Sequence, residues 1–145
     1  MPPTTKSRSS LRFPVADMTA HIQFLSAPIP RPVSWSPDGA AGALAEFYGI
    51  IRSEENGLPI SGIEYEIYHR MAEHEIHRIV GRLTLGFPCQ RVVVIHREGL
   101  VPVGEAAIYV GARARHRQAA FGFLEAFMDH LKKDVPIWKA RILPC

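Results

Sequence analysis

Two lysines near the C-terminus, Lys132 and Lys139, lie on either side of Pro136. Two ammonium groups that rigid elements hold across a tight turn could bind one anion together. A neutral lysine can also act as a nucleophile or a base, although its usual pKa of about 10.4 is too high for that role at neutral pH. Neighbouring positive charges lower this pKa. The simpler alternative is a solvated helix C-terminus, where the helix dipole favours lysines.

Arg52, His116 and Arg117 are three further candidate ligands for an anion. Arginine suits phosphate because its planar guanidinium donates two parallel hydrogen bonds. Arg117 also falls at the predicted start of a helix, where free backbone N–H groups favour an anion. His116 and Lys132 are 16 residues apart on that helix, a separation of about 24 Å. They belong either to two separate sites or to one pocket that a second copy of the chain completes.

A long helix at 116–133 and a terminal strand must position the two lysines. Apolar residues recur in this segment at three- and four-residue steps, which is typical of a helix with one buried face. They are Ala119, Ala120, Phe123, Leu124, Phe127, Met128 and Leu131. Pro136 is predicted to end the helix and to favour extended backbone at Val135. A strand that carries Lys139 is expected to begin at Ile137.

The rest of the chain mixes strands with one further helix and lacks regular βαβ alternation, which predicts an α+β fold. Strands are expected at 21–25, 43–51, 60–68, 92–96 and 106–112, and a helix at 70–85. The apolar run at 43–51 predicts a buried strand. Four prolines at 26–39 predict a stiff, irregular connection, and Asn56-Gly57 predicts a turn. The expected architecture is a two-layer α/β sandwich with a mixed, mostly antiparallel sheet and two main helices.

The histidines and cysteines do not follow a metal-ligand pattern. His74 and His77 share a predicted helix without a matching carboxylate or thiolate set, so we expect a polar helix face and no metal. His96 alternates with apolar residues and is expected to be a hydrogen-bonded residue of the sheet. Cys89 and Cys145 have no disulfide or metal spacing. This pattern favours a reducing compartment, the cytoplasm.

Composition and length restrict the class of protein. A chain of 145 residues with ordinary apolar content predicts one domain, at 18–145. Residues 1–17 are predicted to form a disordered tail because prolines interrupt any helix there, and a transit peptide is the alternative. A net charge of +3 is too low for a general nucleic-acid binder, but it suits a small anionic substrate or an acidic protein partner. No apolar run approaches the length of a membrane span.

Several short segments, taken in chain order, resemble the large, catalytic subunit family of molybdopterin synthase. The run Asp129 to Lys139 resembles the family signature of Asp, a hydrophobe and Lys at a helix end, followed by Pro, Ile, Trp and Lys. Phe47 to Arg52 is similar to the family strand that ends in Gly-x-x-Arg, and His116-Arg117 is similar to the start of its long helix. Weaker matches lie at 64–68, 71–72, 94–99 and 103–105. The resemblance implies a hammerhead-like form of the predicted fold.

The resemblance implies a sulfurtransferase of molybdenum cofactor biosynthesis that uses no metal or other cofactor. In that family, a small ubiquitin-like partner carries a C-terminal Gly-Gly thiocarboxylate. The partner donates sulfur to cyclic pyranopterin monophosphate, and the dithiolene of molybdopterin is formed. The implied catalytic residues are Lys132, at the reacting centre, and Lys139, as general acid/base or charge stabiliser. The implied substrate-binding residues are Arg52, His116 and Arg117 for the phosphate, and Phe47 and Met128 as pocket lining.

The resemblance also implies a homodimer at the core of a heterotetramer, with His116 and Arg117 supplied by the second copy. Two features depart from the family pattern. Arg141 stands where the family usually has an acid, and the family continues beyond the position of Cys145. We expect these departures to affect substrate affinity or the dimer contact, and to leave the lysine pair in place.

Two other functions remain open from the sequence. The first is a non-catalytic relative that binds the ubiquitin-like partner or a pterin phosphate without turnover. The second, more distant, is a basic RNA-binding module, although the aromatic and basic residues are not interleaved as base stacking requires.

Overall fold

The computed structural model describes residues 19–145, and the predicted tail at 1–17 lies outside them. The described residues form eight strands and two helices. In chain order these are β1 (Thr19–Leu25), β2 (Ala43–Ile50), β3 (Glu54–Glu55), β4 (Leu58–Ile67), α1 (His69–Gly86), β5 (Arg91–Arg97), β6 (Gly99–Pro102), β7 (Ala106–Ala114), α2 (Arg117–Asp134) and β8 (Ile137–Pro144). The predicted α+β class, with two main helices, is confirmed.

The larger sheet has the strand order β1-β5-β7-β2. β1 is parallel to β5, and the other two pairs are antiparallel, as predicted for a mixed sheet. Both helices pack on one face, where Ile76 and Phe123 share a core with Val94. The opposite face is covered by the proline-rich connection, from which Ile29 and Trp35 pack around Tyr109. β5 is therefore buried on both faces, which explains its unbroken apolar run.

The prediction that the strand at 43–51 is buried is wrong. β2 is an edge strand, and of its eight described residues Ala45 alone is buried. Phe47 and Ile50 are each 39% exposed. An apolar run indicates burial on both faces only if neighbouring elements cover both, and residues 19–145 do not cover this edge strand in that way.

The smaller sheet is centred on β4, which pairs with β6 and β8 and forms a hairpin with β3. Asn56 and Gly57 form the hairpin turn with φ values of 53° and 81°. Two consecutive positive φ values are typical of a type I′ turn, so the predicted turn is confirmed. β4 has alternating burial, with Ile63 and Ile67 buried and Glu66 exposed, as expected for this strand.

The chain path places the two ends of α2 at opposite ends of the larger sheet. β7 leads almost directly into α2, so the start of the helix lies at the sheet end where β7 finishes and β2 begins. The C-terminal end of α2 therefore lies toward the sheet end where β2 finishes, just before Arg52. Neither of the two helices described at 19–145 is long and apolar enough to cross a membrane.

Candidate functional site: cationic groups at the two ends of α2

The turn between α2 and β8 has the geometry that the sequence predicts. Lys132 lies exposed in the last turn of α2. The N–H of Val135 donates to the carbonyl oxygen of Leu131, with an N–O distance of 3.2 Å, and closes the helix. The carbonyl oxygen of Pro136 accepts a bond of 3.2 Å from the N–H of Tyr68, and β8 begins at the next residue. Lys132 and Lys139 are thus held by a helix and a strand with a short connection between them.

Lys139 is held by a carboxylate that the sequence does not point to. Its Nζ donates to Oε2 of Glu55, in the β3–β4 hairpin, at 2.5 Å. This hydrogen bond lowers the pKa of Glu55, and the positive charges of Lys139 and Arg52 add to the effect while burial opposes it. The two partners are 84 residues apart in the chain, so no local spacing could reveal the pair.

Arg52 follows the end of β2 and is exposed. The preceding residue, Ile51, is fixed because its N–H donates to the carbonyl oxygen of Glu105 at 3.0 Å. Arg52 lines an open cavity of about 620 Å³ together with four residues of the hairpin region: Ser53, Glu54, Asn56 and Gly57. The cavity places Arg52 where its guanidinium can meet a ligand, and neither Lys132 nor Lys139 is among the described residues that line it.

An aromatic layer lies beneath Lys139. Tyr65 is the register partner of Lys139 in the neighbouring strand, and its ring meets the ring of His96 edge-on at 5.1 Å. Burial raises the pKa of Tyr65, and the negative charge of Glu55 adds to this. Burial lowers the pKa of His96 to about 4, and its Nδ1–H donates to the carbonyl oxygen of Arg97 at 2.8 Å. The expected hydrogen-bonded role of His96 in the sheet is confirmed.

Phe47 and Met128 lie toward the same end of the fold as the lysines. Phe47 is in the second half of β2, on the face shared by Ala45, which belongs to the core beneath α2. Met128 is in the second half of α2 and is partly buried against that core. An exposed aromatic ring and an adaptable thioether are suitable walls for a pocket.

His116 and Arg117 lie at the other end of α2. His116 precedes the first helical residue, and its side chain makes no capping hydrogen bond. Both side chains are exposed, and within residues 19–145 neither has a side-chain partner. The structure confirms that they lie at the start of the helix that carries Lys132, and His116 is about 24 Å from Lys132 along its axis. One chain therefore does not bring all five cationic candidates onto one small molecule.

Arg141, the residue at the departure from the family pattern, is also paired. Its Nε donates to Oε1 of Glu64, on the adjacent strand, at 2.6 Å. Arg141 is 68% exposed and Glu64 is 36% exposed, so the pair lies at the surface of the smaller sheet. The positive charge at this position is balanced within the chain.

The fold is α+β, and exposed cationic side chains lie at both ends of one long helix, an arrangement that suits a protein of the anion-binding class. Residues 20–134 match the MoaE protein family, so the chain belongs to that family. The matched residues include Arg52, His116, Arg117 and Lys132, and the match ends before Lys139.

Relatives and solved structures agree with this assignment. The molybdopterin synthase catalytic subunit of Homo sapiens is 39% identical over 101 residues, which cover 70% of this chain and 54% of the human protein. The chain spans about half the length of that relative. The MoaE protein of Burkholderia ambifaria MC40-6 superposes with a TM-score of 0.69 at 26% identity, covering 82% of this chain and 80% of that one.

A third similarity concerns the fold alone. A chain in the complex of subunits 1 and 2 of molybdopterin-converting factor from Helicobacter pylori 26695 has a TM-score of 0.64 and 18% identity. The alignment covers 86% of this chain and 89% of that one. The resemblance to the molybdopterin synthase catalytic subunit family that the sequence suggested is confirmed by the family match over residues 20–134.

Proposed function

We propose that this chain is the catalytic subunit of a molybdopterin synthase. It transfers sulfur from the C-terminal thiocarboxylate of a small ubiquitin-like protein to cyclic pyranopterin monophosphate, and the dithiolene of molybdopterin is formed. The observation that carries the proposal is the pair Lys132 and Lys139, on a helix end and a strand joined by a short turn, in a member of the MoaE family.

The reaction requires a cationic site. The thiocarboxylate and the substrate phosphate are both anions, so positive charge favours their approach to one another. The oxygen atoms that sulfur replaces must leave as protonated or otherwise stabilised groups. Lys132 serves the reacting centre, beside the thiocarboxylate tail, and Lys139 acts as general acid/base or stabilises charge. Arg52 contributes to phosphate binding from the end of β2.

The remaining phosphate ligands come from a second copy of the chain. His116 and Arg117 are exposed and lie about 24 Å from Lys132 on the same helix. A dimer can place the start of one α2 near the end of its partner, which would complete the pocket and also cover Phe47 and Met128. The separation along the helix supports this composite pocket over a pocket within one chain.

The proposed partner is a sulfur carrier with a flexible Gly-Gly end. Glycine residues allow a tail to enter a narrow pocket, since they have no side chain to exclude. The Helicobacter pylori structure is, by its own description, a complex of two different subunits. By analogy we propose a heterotetramer with two copies of this chain at its centre. Both cysteines in the described residues are free, and we place the reaction in the cytoplasm.

Two observations favour a second candidate function. The ammonium group of Lys139 is already paired with Glu55, and Arg141 stands where the family usually has an acid. A non-catalytic relative that binds the ubiquitin-like protein or a pterin phosphate would tolerate both features.

A reconstitution assay distinguishes the two candidates. The purified chain is incubated with thiocarboxylated carrier and cyclic pyranopterin monophosphate, and the dithiolene product is detected after oxidation to a fluorescent pterin. Catalytic turnover predicts product in proportion to the thiocarboxylate consumed, and carrier with an ordinary C-terminal carboxylate provides the control. Carrier binding without product would support the non-catalytic alternative.

A further inference from the structure

Glu55 is a charged group that the proposed reaction does not yet use. It forms the end of β3, and its carboxylate accepts the hydrogen bond from Lys139 at 2.5 Å. The Glu55 side chain is 17% exposed, whereas that of Lys139 is 46% exposed. The carboxylate is thus the more enclosed partner, and the lysine is held against it.

The hairpin that carries Glu55 is built to approach β8. The pairing of β4 with β8 is irregular between Ile60 and Gly62 and again between Glu64 and Tyr65. Such irregularities bend a strand and increase its twist. The tight turn at 56–57 then fixes the position of Glu55 relative to β4. Glu55 pairs with Leu58 at the start of β4, whereas Lys139 lies opposite Tyr65 near the end of β4. The bend of β4 and the tight turn together bring these two side chains into contact.

Glu55 interacts with groups from three segments. Lys139 of β8 is bonded to it, the positive charge of Arg52, before β3, acts on it, and its own charge acts on Tyr65 of β4. An ionised carboxylate that interacts with two cations offsets part of the positive charge there. It also restricts the ammonium group of Lys139, which otherwise moves freely on a four-carbon stem.

We infer that Glu55 positions Lys139 for the sulfur-transfer reaction by holding its ammonium group against the β3–β4 hairpin. Glu55 acts through Lys139 and does not contact the reacting atoms. This role rests on the proposed function, but the contact on which it depends can be tested without it.

The activity test compares Glu55→Gln with Glu55→Asp and with a matched control, Glu66→Gln. Glu66 is an exposed carboxylate on β4, so its replacement removes the same charge from the same sheet. Glu55→Gln should lower kcat about tenfold with a smaller change in KM, because mispositioning a reacting group slows chemistry more than binding. Glu55→Asp should recover part of the rate, and Glu66→Gln should match the wild type.

A double variant tests whether Glu55 acts through Lys139. If it does, Glu55→Gln combined with Lys139→Met should be no slower than Lys139→Met alone. If the double variant instead loses the product of the two single-variant rate losses, Glu55 acts independently of Lys139 and the positioning role is wrong. A Glu55→Gln variant as active as the wild type would also overturn it, as would a loss that follows a lowered melting temperature and is not recovered by Glu55→Asp.

Chemical labelling tests the contact itself, whatever the protein catalyses. Acetic anhydride acetylates free lysine amines, and mass spectrometry reports the rate at Lys139 with exposed Lys133 as internal reference. Glu55→Gln should raise the rate at Lys139 about two- to fivefold, the range expected when a partly exposed ion pair is broken. An unchanged rate would overturn the inference. The two failures are distinguishable. If Glu55→Gln raises the labelling rate at Lys139 but the wild-type chain makes no dithiolene, the contact is confirmed and the proposed function is refuted.

Discussion

At the C-terminal end of α2, Lys139 is bonded to Glu55, and the positive charge of Arg52 acts on the same carboxylate. At the N-terminal end, by contrast, His116 and Arg117 are exposed and make no side-chain bonds within residues 19–145. The first end, which carries Lys139, is preorganised by its own chain because a hairpin, a strand and a helix hold its charged groups. At the second end, which carries His116 and Arg117, residues 19–145 leave the two charged side chains exposed. This difference supports the proposal that the reacting groups belong to the first end and that the second end gains its surroundings from another copy.

The largest expected effect is the loss of Lys132 at the preorganised end. Lys132→Ala should reduce dithiolene formation at least about 100-fold, the scale of a lost proton-transfer or charge-stabilising group. The fold should remain intact because the side chain is exposed. An assay of dithiolene formation tests the loss of activity, and circular dichroism tests whether the fold is intact. Lys133→Ala, one residue further on, is the control, and equal losses in both variants would contradict a specific role for Lys132.

The buried layer beneath Lys139 should make stability sensitive to acid. The pKa of His96 is lowered to about 4 in the folded chain, compared with about 6.5 when unfolded. Between these values the unfolded chain binds a proton that the folded chain does not, so the free energy of unfolding falls as pH drops from about 6.5 to about 4. The loss should approach about 3 kcal/mol.

Urea unfolding at several pH values checks this dependence. His96→Gln should flatten the part of the profile due to this ring. Identical pH profiles for His96→Gln and the wild type would show that other groups cause the dependence.

Arg117→Ala tests the open end of the helix. A phosphate ligand contributes about equally to the ground state and the transition state, so KM for the pterin should rise about tenfold with a modest change in kcat. Steady-state kinetics with varied pterin check this split. The opposite pattern, a low kcat at unchanged KM, would place Arg117 at the reacting centre and remove the distinction between the two ends.

The smallest expected effect comes from loosening the hairpin that holds Glu55. Gly57 has a φ of 81°, and alanine there should lower the free energy of unfolding by about 1 kcal/mol. Gly81→Ala is the matched control, since Gly81 lies in a helix with equal space around it and no positive φ. It should raise stability slightly. Thermal unfolding checks both, and a neutral Gly57→Ala would mean that the turn does not fix the hairpin.

Local patterns predicted much of the preorganised end. The apolar spacing of α2, the stop at Pro136 and the strand at Lys139 are properties of neighbouring residues, and they are confirmed. The pair between Glu55 and Lys139 joins residues 84 apart, and it depends on how β4 bends. Such a contact leaves no trace in spacing along the chain.

Other features of the fold could not be predicted from local patterns, among them the position of β2 at the edge of its sheet and the short strand β6. The apolar run of β2 indicated burial, but strand order places it at an edge. β6 has four residues, too few for an alternating pattern to show, and it was not predicted. The separation of His116 from Lys132 could be predicted, because it follows from helix rise alone.

Complementation between two impaired variants, assayed at a pterin concentration well below the KM of the Arg117→Ala chain, tests most directly whether the two ends of α2 serve one pocket across two chains. Arg117→Ala and Lys132→Ala chains are mixed under conditions that exchange subunits, and mass spectrometry verifies that mixed dimers form. In a mixed dimer one pocket combines both defects and the other combines neither, so activity should return to at most about half per mixed dimer. No recovery in verified mixed dimers, or a chain that is monomeric in the active complex, would contradict the account.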